Sequence, residues 1–190
     1  MPVKIIPRSF VVLLATALVL DAGPSMAQDQ GKTAAAELTS QSKAALARLD
    51  ASAPLAKTLE SKAHAVLVFH EITKAGLGIG GQYGEGTLLK GGKAVAYYKT
   101  TGASFGLQAG GQQYGYAMFF LNEKALAQLD KADGFEVGVG PSVVMVDEGM
   151  AKTTTTTTLK DDIYALVFGQ KGLMAGLGIQ GNKITKIQPK

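Results

Sequence analysis

Residues 102–106 have the G-x-S-x-G spacing with which serine hydrolases expose a nucleophile at a sharp strand-to-helix turn. The serine would be Ser104, and the fold that uses this motif places its histidine later in the chain. Both histidines, His64 and His70, precede Ser104. Ser104 also lies in a stretch of alternating apolar residues, which is typical of a strand rather than of a turn. The motif therefore does not predict a hydrolase, and we assign no catalytic residue.

A second glycine pattern occurs twice: AGLGIGG at residues 75–81 recurs as AGLGIQG at residues 175–181, 100 residues later. Both copies match G-x-G-x-x-G, but neither opens a helix and the acid that would bind a ribose is missing, so a dinucleotide site is not predicted. Glycine alternating with Leu or Ile predicts strands with one bare face, which another backbone or a ligand can approach closely. We favour the interpretation that the two strands pair near the centre of a sheet.

The histidines and acidic residues do not have the spacing of a metal site. His64, His70 and Glu71 form no helical ligand pair and suggest no third ligand. Adjacent acids at residues 147–148 and 161–162 would point to opposite faces of a strand, so we interpret them as solvated charges. The chain has no cysteine, which excludes thiol catalysis and thiolate metal ligands. We predict no metal and no cofactor.

Lysines are distributed unevenly along the chain. Residues 86–122 and residues 163–190 contain lysine but no acidic residue. If the fold brings these segments together, they form a cationic face for an anionic partner; the alternative is that they only maintain solubility. Arg48 is the only arginine after residue 27, which argues against nucleic acid, because guanidinium groups dominate phosphate and base recognition. The candidate binding residues are Lys90, Lys93, Lys99, Lys171, Lys183 and Lys186.

Two helices and a glycine-rich sheet must position these lysines. Leucines between residues 33 and 62 are spaced for a helical face, and Pro54 predicts two short amphipathic helices with a break near residues 51–54, where Ser52 would cap the second. Farther along, 13 glycines lie between Gly76 and Gly115, too many for helix interiors. These patterns predict an α+β domain, with N-terminal helices packed on a mainly antiparallel, glycine-rich and strongly curved sheet.

Residues 104–120 are predicted to form one long strand with an irregularity. Large residues take odd positions before the pair Gly110-Gly111 and even positions after it, which predicts a β-bulge or sharp bend at the pair. Asn122 is predicted to cap a short helix that runs through Asp130. Further strands are expected at residues 135–139, 142–146 and 163–168, and the threonines at 153–158 are expected in an exposed loop or edge strand.

The N-terminus has the order of a secretory signal. Lys4 and Arg8 precede an apolar stretch at residues 10–20, which is too short to span a bilayer, and Ser25 and Ala27 are small residues at the positions that signal peptidase requires. We expect cleavage near Ala27 and export to the periplasm or cell envelope. The predicted organisation is a signal peptide at 1–27, a helical segment at 28–62 and a domain at 63–190 that forms one structural unit with that segment.

Several stretches together resemble the SYLF, or Ysc84-like, domain in its bacterial exported form. They are KAGLGIGGQYGEG at residues 74–86, Tyr97-Tyr98, SFGLQAG at 104–110 and FGQKGLMAG at 168–176. The similarity runs in order from about residue 63 to residue 187. It implies a lipid-binding domain without catalytic residues, since family members bind lipids, notably phosphoinositides in eukaryotes, and some bind actin. Those cytoplasmic ligands do not carry over to an exported protein.

The function expected from the resemblance and the lysines is non-enzymatic binding to anionic lipid head groups or a membrane surface. An amphipathic helix such as residues 44–49 would contribute to this binding. The alternative is a structural or protein-interaction module of the cell envelope, which would use the same face for an acidic protein partner. An enzyme ranks third, and would require a deep pocket lined by Ser104 and a histidine.

Overall fold

The structure, a computed structural model, describes residues 25–131, 133–137, 142–147, 149, 151, 159–172 and 181–190. Of residues 25–29, 78 and 104–109 it describes only the backbone. The N-terminal part holds two helices, α1 (Ser25–Ser52) and α2 (Pro54–Lys62), followed by two long strands, β1 (Ala65–Lys90) and β2 (Lys93–Phe120). The remaining elements are α3 (Glu123–Leu126), a 3-10 turn (Ala127–Asp130), β3 (Phe135–Glu136), β4 (Val143–Val146), β5 (Ile163–Gly172) and β6 (Lys183–Ile187).

Strand β2 is the centre of the sheet. It pairs with β1 along one edge, and along its other edge with β6 at residues 97–101 and with β5 at residues 112–120. Beyond these, β3 pairs with β6, and β4 pairs with β5 in the only parallel pairing among the described strands. The predicted α+β class, with helices on a mainly antiparallel and strongly curved sheet, is confirmed.

The β1–β2 hairpin is folded in half, which accounts for the curvature. A β-carbon placed on Gly86 would lie 2.6 Å from the Val68 carbonyl oxygen, and one on Gly84 would lie 2.6 Å from the Ile72 side chain. The two halves of β1 therefore pack directly on each other, at a distance that only glycine allows. This returns the Gly91-Gly92 turn to the start of the hairpin. There, Lys90 Nζ lies 3.6 Å from a carboxylate oxygen of Glu123.

The folded hairpin has a base end and a bend end. The base end is where the Gly91-Gly92 turn meets His64 and Glu123. The bend end is formed by residues 72–84, 101–115, 169–172 and 181–183. Along β1, Lys90 is six residues, or about 20 Å, from the nearest residue of the bend end, Gly84.

Hydrophobic residues form two cores, one on each face of the base half of β2. Inside the folded hairpin, Phe69, Tyr116 and Phe120 are fully buried. On the opposite face, Leu59 from α2 packs with Phe119 of β2 in a second cluster that α1 also joins. Alternate side chains of this half of β2 are buried on both sides, as in a central strand covered by a layer on each face.

The predicted break between the helices is confirmed, but two details of the prediction are wrong. Ala53 separates the helices and has no side-chain capping bond, while Ser52 Oγ donates to the Leu49 carbonyl at 3.2 Å instead of capping α2. Pro54 begins α2 directly, which its fixed φ favours. The first helix is also longer than predicted, with 28 residues beginning at Ser25.

The irregularity predicted in β2 exists, but it is not a bulge at Gly110-Gly111. The pairing is regular from Ile72↔Tyr114 to Leu77↔Ala109, and the register shifts between that pair and Ile79↔Phe105, where β2 carries two extra residues. Gly110 has a φ of 142°, which side-chain-bearing residues rarely adopt. The irregularity is therefore a register shift between Phe105 and Ala109, at the bend of the folded hairpin.

The predicted helix cap at Asn122 is confirmed. Its Oδ1 accepts from the Ala125 backbone N–H at 2.8 Å, and α3 with the following 3-10 turn ends at Asp130. Three predicted features lie outside the described residues: nearly all of the signal peptide, the second glycine copy and the threonine run. Pairing of the two glycine copies therefore stays a prediction, as do the domain boundaries.

Asp50, near the end of α1, predicts a pH-dependent stability. Burial, followed by the neighbouring Glu60 carboxyl, raises the pKa of Asp50 from 3.8 to about 7, while Lys57 opposes the shift. The folded state thus binds more protons than the unfolded state between these values, and the free energy of unfolding falls as pH rises from about 4 to 7. Asp50→Asn removes the titrating carboxyl, and with it this decrease in the free energy of unfolding. Because the carboxyl is partly exposed, we expect the variant to be more stable by about 1 kcal/mol at pH 8 and equal at pH 4.

Urea unfolding of both proteins at the two pH values measures this difference. Glu37→Gln is the control, because Glu37 is an exposed carboxylate on the same helix. A wild-type protein whose stability rises between pH 4 and pH 7 relative to Asp50→Asn would contradict the prediction.

Candidate functional site

The six candidate lysines lie at different places along the folded hairpin. Lys90 and Lys93 face each other across the turn at the base end. Lys171 of β5 pairs with Gln113 and belongs to the bend end. Seven residues of β2, or about 23 Å, separate Gln113 from Phe120 at the base end, so the six lysines do not form one compact patch.

Two of the lysines from the separate acid-free segments do meet on one face. Lys99 of β2 lies opposite Thr185 of β6, and Lys183 lies opposite Thr101. Lys99 and Lys183 are therefore diagonal neighbours, a relation that separates such residues by about 7–8 Å. Lys186 is three residues from Lys183 in β6, so the two lysines lie on opposite faces of the strand. The Lys186 ammonium lies 3.8 Å from a carboxylate oxygen of Asp130.

Neighbouring strands place acids beside these lysines. Glu85 of β1 is the cross-strand partner of Lys99, and Glu136 of β3 is the partner of Lys183. A segment that contains no acid in sequence is thus interleaved with acids from other strands. The bend end contains Lys74, Lys171 and Lys183, and acids lie at its margin. Glu71 accepts from Gln113 Nε2 at 3.4 Å, and Glu136 is the partner of Lys183.

A groove between α1 and the sheet combines apolar and cationic groups. This α1 groove has a volume of about 520 Å³. Val95, Tyr97 and Ile187 supply apolar surface, and Lys32 and Lys186 supply the charges. The Thr39 hydroxyl lies 2.9 Å from the Tyr97 hydroxyl and links α1 to the sheet. Lys32 was not predicted, because no pattern relates a residue early in α1 to β6.

A second groove, of about 400 Å³, lies near the base end. Its lining includes Lys57 and Glu60 from α2 together with Leu46 and Leu89. With one charge of each sign, it offers no selectivity for an anion.

Polar side chains are buried inside the folded hairpin near its bend. The Tyr114 hydroxyl donates to Gln82 Oε1 at 2.6 Å, and the Gln82 amide donates to Asn182 Oδ1. Burial raises the pKa of Tyr114 to about 12, opposed by a hydrogen bond with Asn182. Lys74 and Gln112 face each other across β1 and β2 and are also buried. These contacts tie both halves of the hairpin to β6, and no sequence pattern indicated them.

The residues considered for catalysis are far apart. Ser104 pairs with Gly80 at the bend, whereas the His64 backbone N–H bonds to Phe120 at the other end of β2. His70 lies at the irregularity between Phe69 and Ile72, and burial lowers its pKa. Among the side chains that the structure describes, no histidine lines either groove. Within the described ranges there is no group of three metal-binding side chains.

The helix expected to contribute to membrane binding has its apolar face buried against the rest of the domain. Ala45, Leu46 and Leu49, which form the apolar face of residues 44–49, are buried in the core beneath α1. The expectation that this helix meets lipid is therefore wrong. Among the helices that the structure describes, none has the length and apolar character needed to span a bilayer.

The fold and surface define a small α+β domain whose lysine-bearing bend end and lysine-bearing groove suit binding. A family model described as Ysc84, "Las17-binding protein actin regulator", matches residues 101–189. This match confirms the resemblance to the SYLF, or Ysc84-like, family over that segment. No curated protein matches the chain.

Proposed function

We propose that this protein is a non-enzymatic binding domain that attaches to anionic lipid head groups at a membrane surface. The observation that carries the proposal is the bend end, where Lys171 of β5 and Lys183 of β6 are exposed on strands that pair with β2 on either side of the bend. Each lysine near an anionic bilayer contributes about 1 kcal/mol of attraction. The resemblance to the family supports a binding role.

Charge reversal at the two ends of the domain tests this orientation. We expect Lys171→Glu with Lys183→Glu to weaken binding to anionic vesicles at least tenfold, since two attractions become repulsions. The matched control is Lys90→Glu with Lys93→Glu, which makes the same charge change at the base end. The control should bind within about twofold of wild type. Equal losses in both variants would show that only net charge matters and would contradict a site at the bend end.

We also propose that the domain is exported. The signal pattern at residues 1–27 supports this, and it predicts that protein recovered from the cell envelope begins at Gln28. N-terminal sequencing of the native protein checks the prediction. A mature chain that retains residues 1–27 and stays in the cytoplasm would contradict it.

A protein-interaction role in the cell envelope is the second candidate, and the α1 groove favours it. Its apolar surface, bordered by Lys32 and Lys186, suits a partner segment that carries apolar and acidic side chains. Lys186→Glu would then abolish capture of an envelope partner without changing vesicle binding. The reverse result would assign the groove to lipid.

A further inference from the structure

Two large aliphatic side chains are exposed at the bend end. Leu77 is 81% exposed and Ile79 is 70% exposed. They are separated by one residue in β1, and glycines flank both in the sequence. Glycine has no side chain that would cover its neighbours, so the two aliphatic groups stand free of polar side chains from adjacent positions in β1. Tyr83, 50% exposed, lies on the same end, where its hydroxyl donates to Glu85.

These side chains are better explained by a partner than as isolated surface residues. Single exposed apolar residues are common, but two aliphatic groups one residue apart at the bend form a local patch. The patch lies at the end of the domain that carries exposed Lys171 and Lys183. Exposed apolar groups near cations match a surface that is anionic outside and apolar beneath.

We propose that the bend end inserts Leu77 and Ile79 into the interfacial region of an anionic lipid bilayer, with Lys171 and Lys183 on the head groups. Tyr83 would lie at head-group level, where amphipathic rings are favoured. The inference rests on the proposed function and names the element that performs it. The occupant is a bilayer, because both aliphatic side chains project outward and are not enclosed by a cavity wall.

Tryptophan fluorescence tests the insertion directly, because the chain contains no tryptophan. The probe variant is Ile79→Trp, and the matched control is Val95→Trp, since Val95 is a 56% exposed aliphatic residue in the α1 groove. Vesicles of phosphatidylglycerol and phosphatidylcholine should shift the emission of Ile79→Trp to shorter wavelength. Brominated acyl chains should quench it. The emission of Val95→Trp should not change.

A second pair of variants measures the contribution to affinity. We expect Leu77→Gln with Ile79→Gln to weaken binding to the same vesicles at least tenfold, and Val95→Gln to bind within about twofold of wild type. Thermal unfolding should be unchanged in all of these variants, because the replaced side chains are exposed.

The outcomes separate this inference from the proposed function. If wild type binds the vesicles but Ile79→Trp shows neither a shift nor quenching, the proposed insertion of Ile79 is wrong. The proposal that the domain binds anionic lipid would still stand. If wild type fails to bind, the proposed function itself is wrong. A concentration-dependent blue shift of Ile79→Trp without vesicles would show that a second copy covers the patch, and would overturn the proposal.

Discussion

Gly86→Ala is expected to destabilise the protein by about 3 kcal/mol, the upper part of the range for overpacked interiors. The added β-carbon would lie 2.6 Å from the Val68 carbonyl oxygen and 2.7 Å from the nearest carbon of the Phe69 ring. The ring can move slightly, but the carbonyl belongs to a paired strand and also accepts a hydrogen bond from Ser42 Oγ at 3.3 Å. The steric clash can therefore be relieved only if the two halves of β1 move apart.

Gly81→Ala is the matched control, because Gly81 lies on the same strand and its nearest neighbour, the Gly102 carbonyl oxygen, would be 3.8 Å from the new β-carbon. We expect this variant to equal wild type or to be more stable by about 0.5 kcal/mol, since alanine reduces the entropy of the unfolded chain. Thermal unfolding should show a decrease of about 6–12 °C for Gly86→Ala alone. Equal melting temperatures for both variants would contradict the folded hairpin.

Phe69→Ala is expected to cost about 3–5 kcal/mol, as for other fully buried aromatic residues. Phe69 is fully buried inside the folded hairpin, and its ring centroid lies 4.8 Å from that of Tyr116. Since domains are stable by only about 5–15 kcal/mol, this substitution removes a large fraction of the total. The measurement is the urea midpoint.

Val95→Ala provides the comparison for this truncation, because Val95 is exposed and its replacement should change stability by less than about 0.5 kcal/mol. The double variant Gly86→Ala with Phe69→Ala should lose less than the sum of the two single variants, because removing the ring opens space for the new β-carbon. Strict additivity would mean that the two residues are not in contact.

The fold class and most helix boundaries follow from local patterns in the sequence. Pro54 and Asn122 act within one or two turns of the chain, so the helix break and the cap were predictable. The glycine content also indicated a curved sheet. The location of the bend was not predictable from alternation alone, because a parity change at Gly110 has the same sequence pattern whether a strand bulges or folds over.

The candidate site was only partly predictable, because charge in a sheet depends on cross-strand neighbours. Lys99 and Lys183 were identified, and the structure makes them neighbours, but their partners Glu85 and Glu136 lie on other strands and depend on the pairing register. Leu77 was predicted to lie in a strand with one bare face, which another backbone could approach closely. Its exposure depends on where the hairpin folds, and that is a tertiary property.

Binding of the wild-type protein to vesicles of graded composition tests the central claim most directly. The account predicts that binding rises with the fraction of phosphatidylglycerol and falls as salt increases from about 10 to 100 mM, since screening shortens the Debye length from about 30 to 10 Å. Pure phosphatidylcholine should bind weakly. No binding to anionic vesicles at low salt, or equal binding to both lipids, would contradict it.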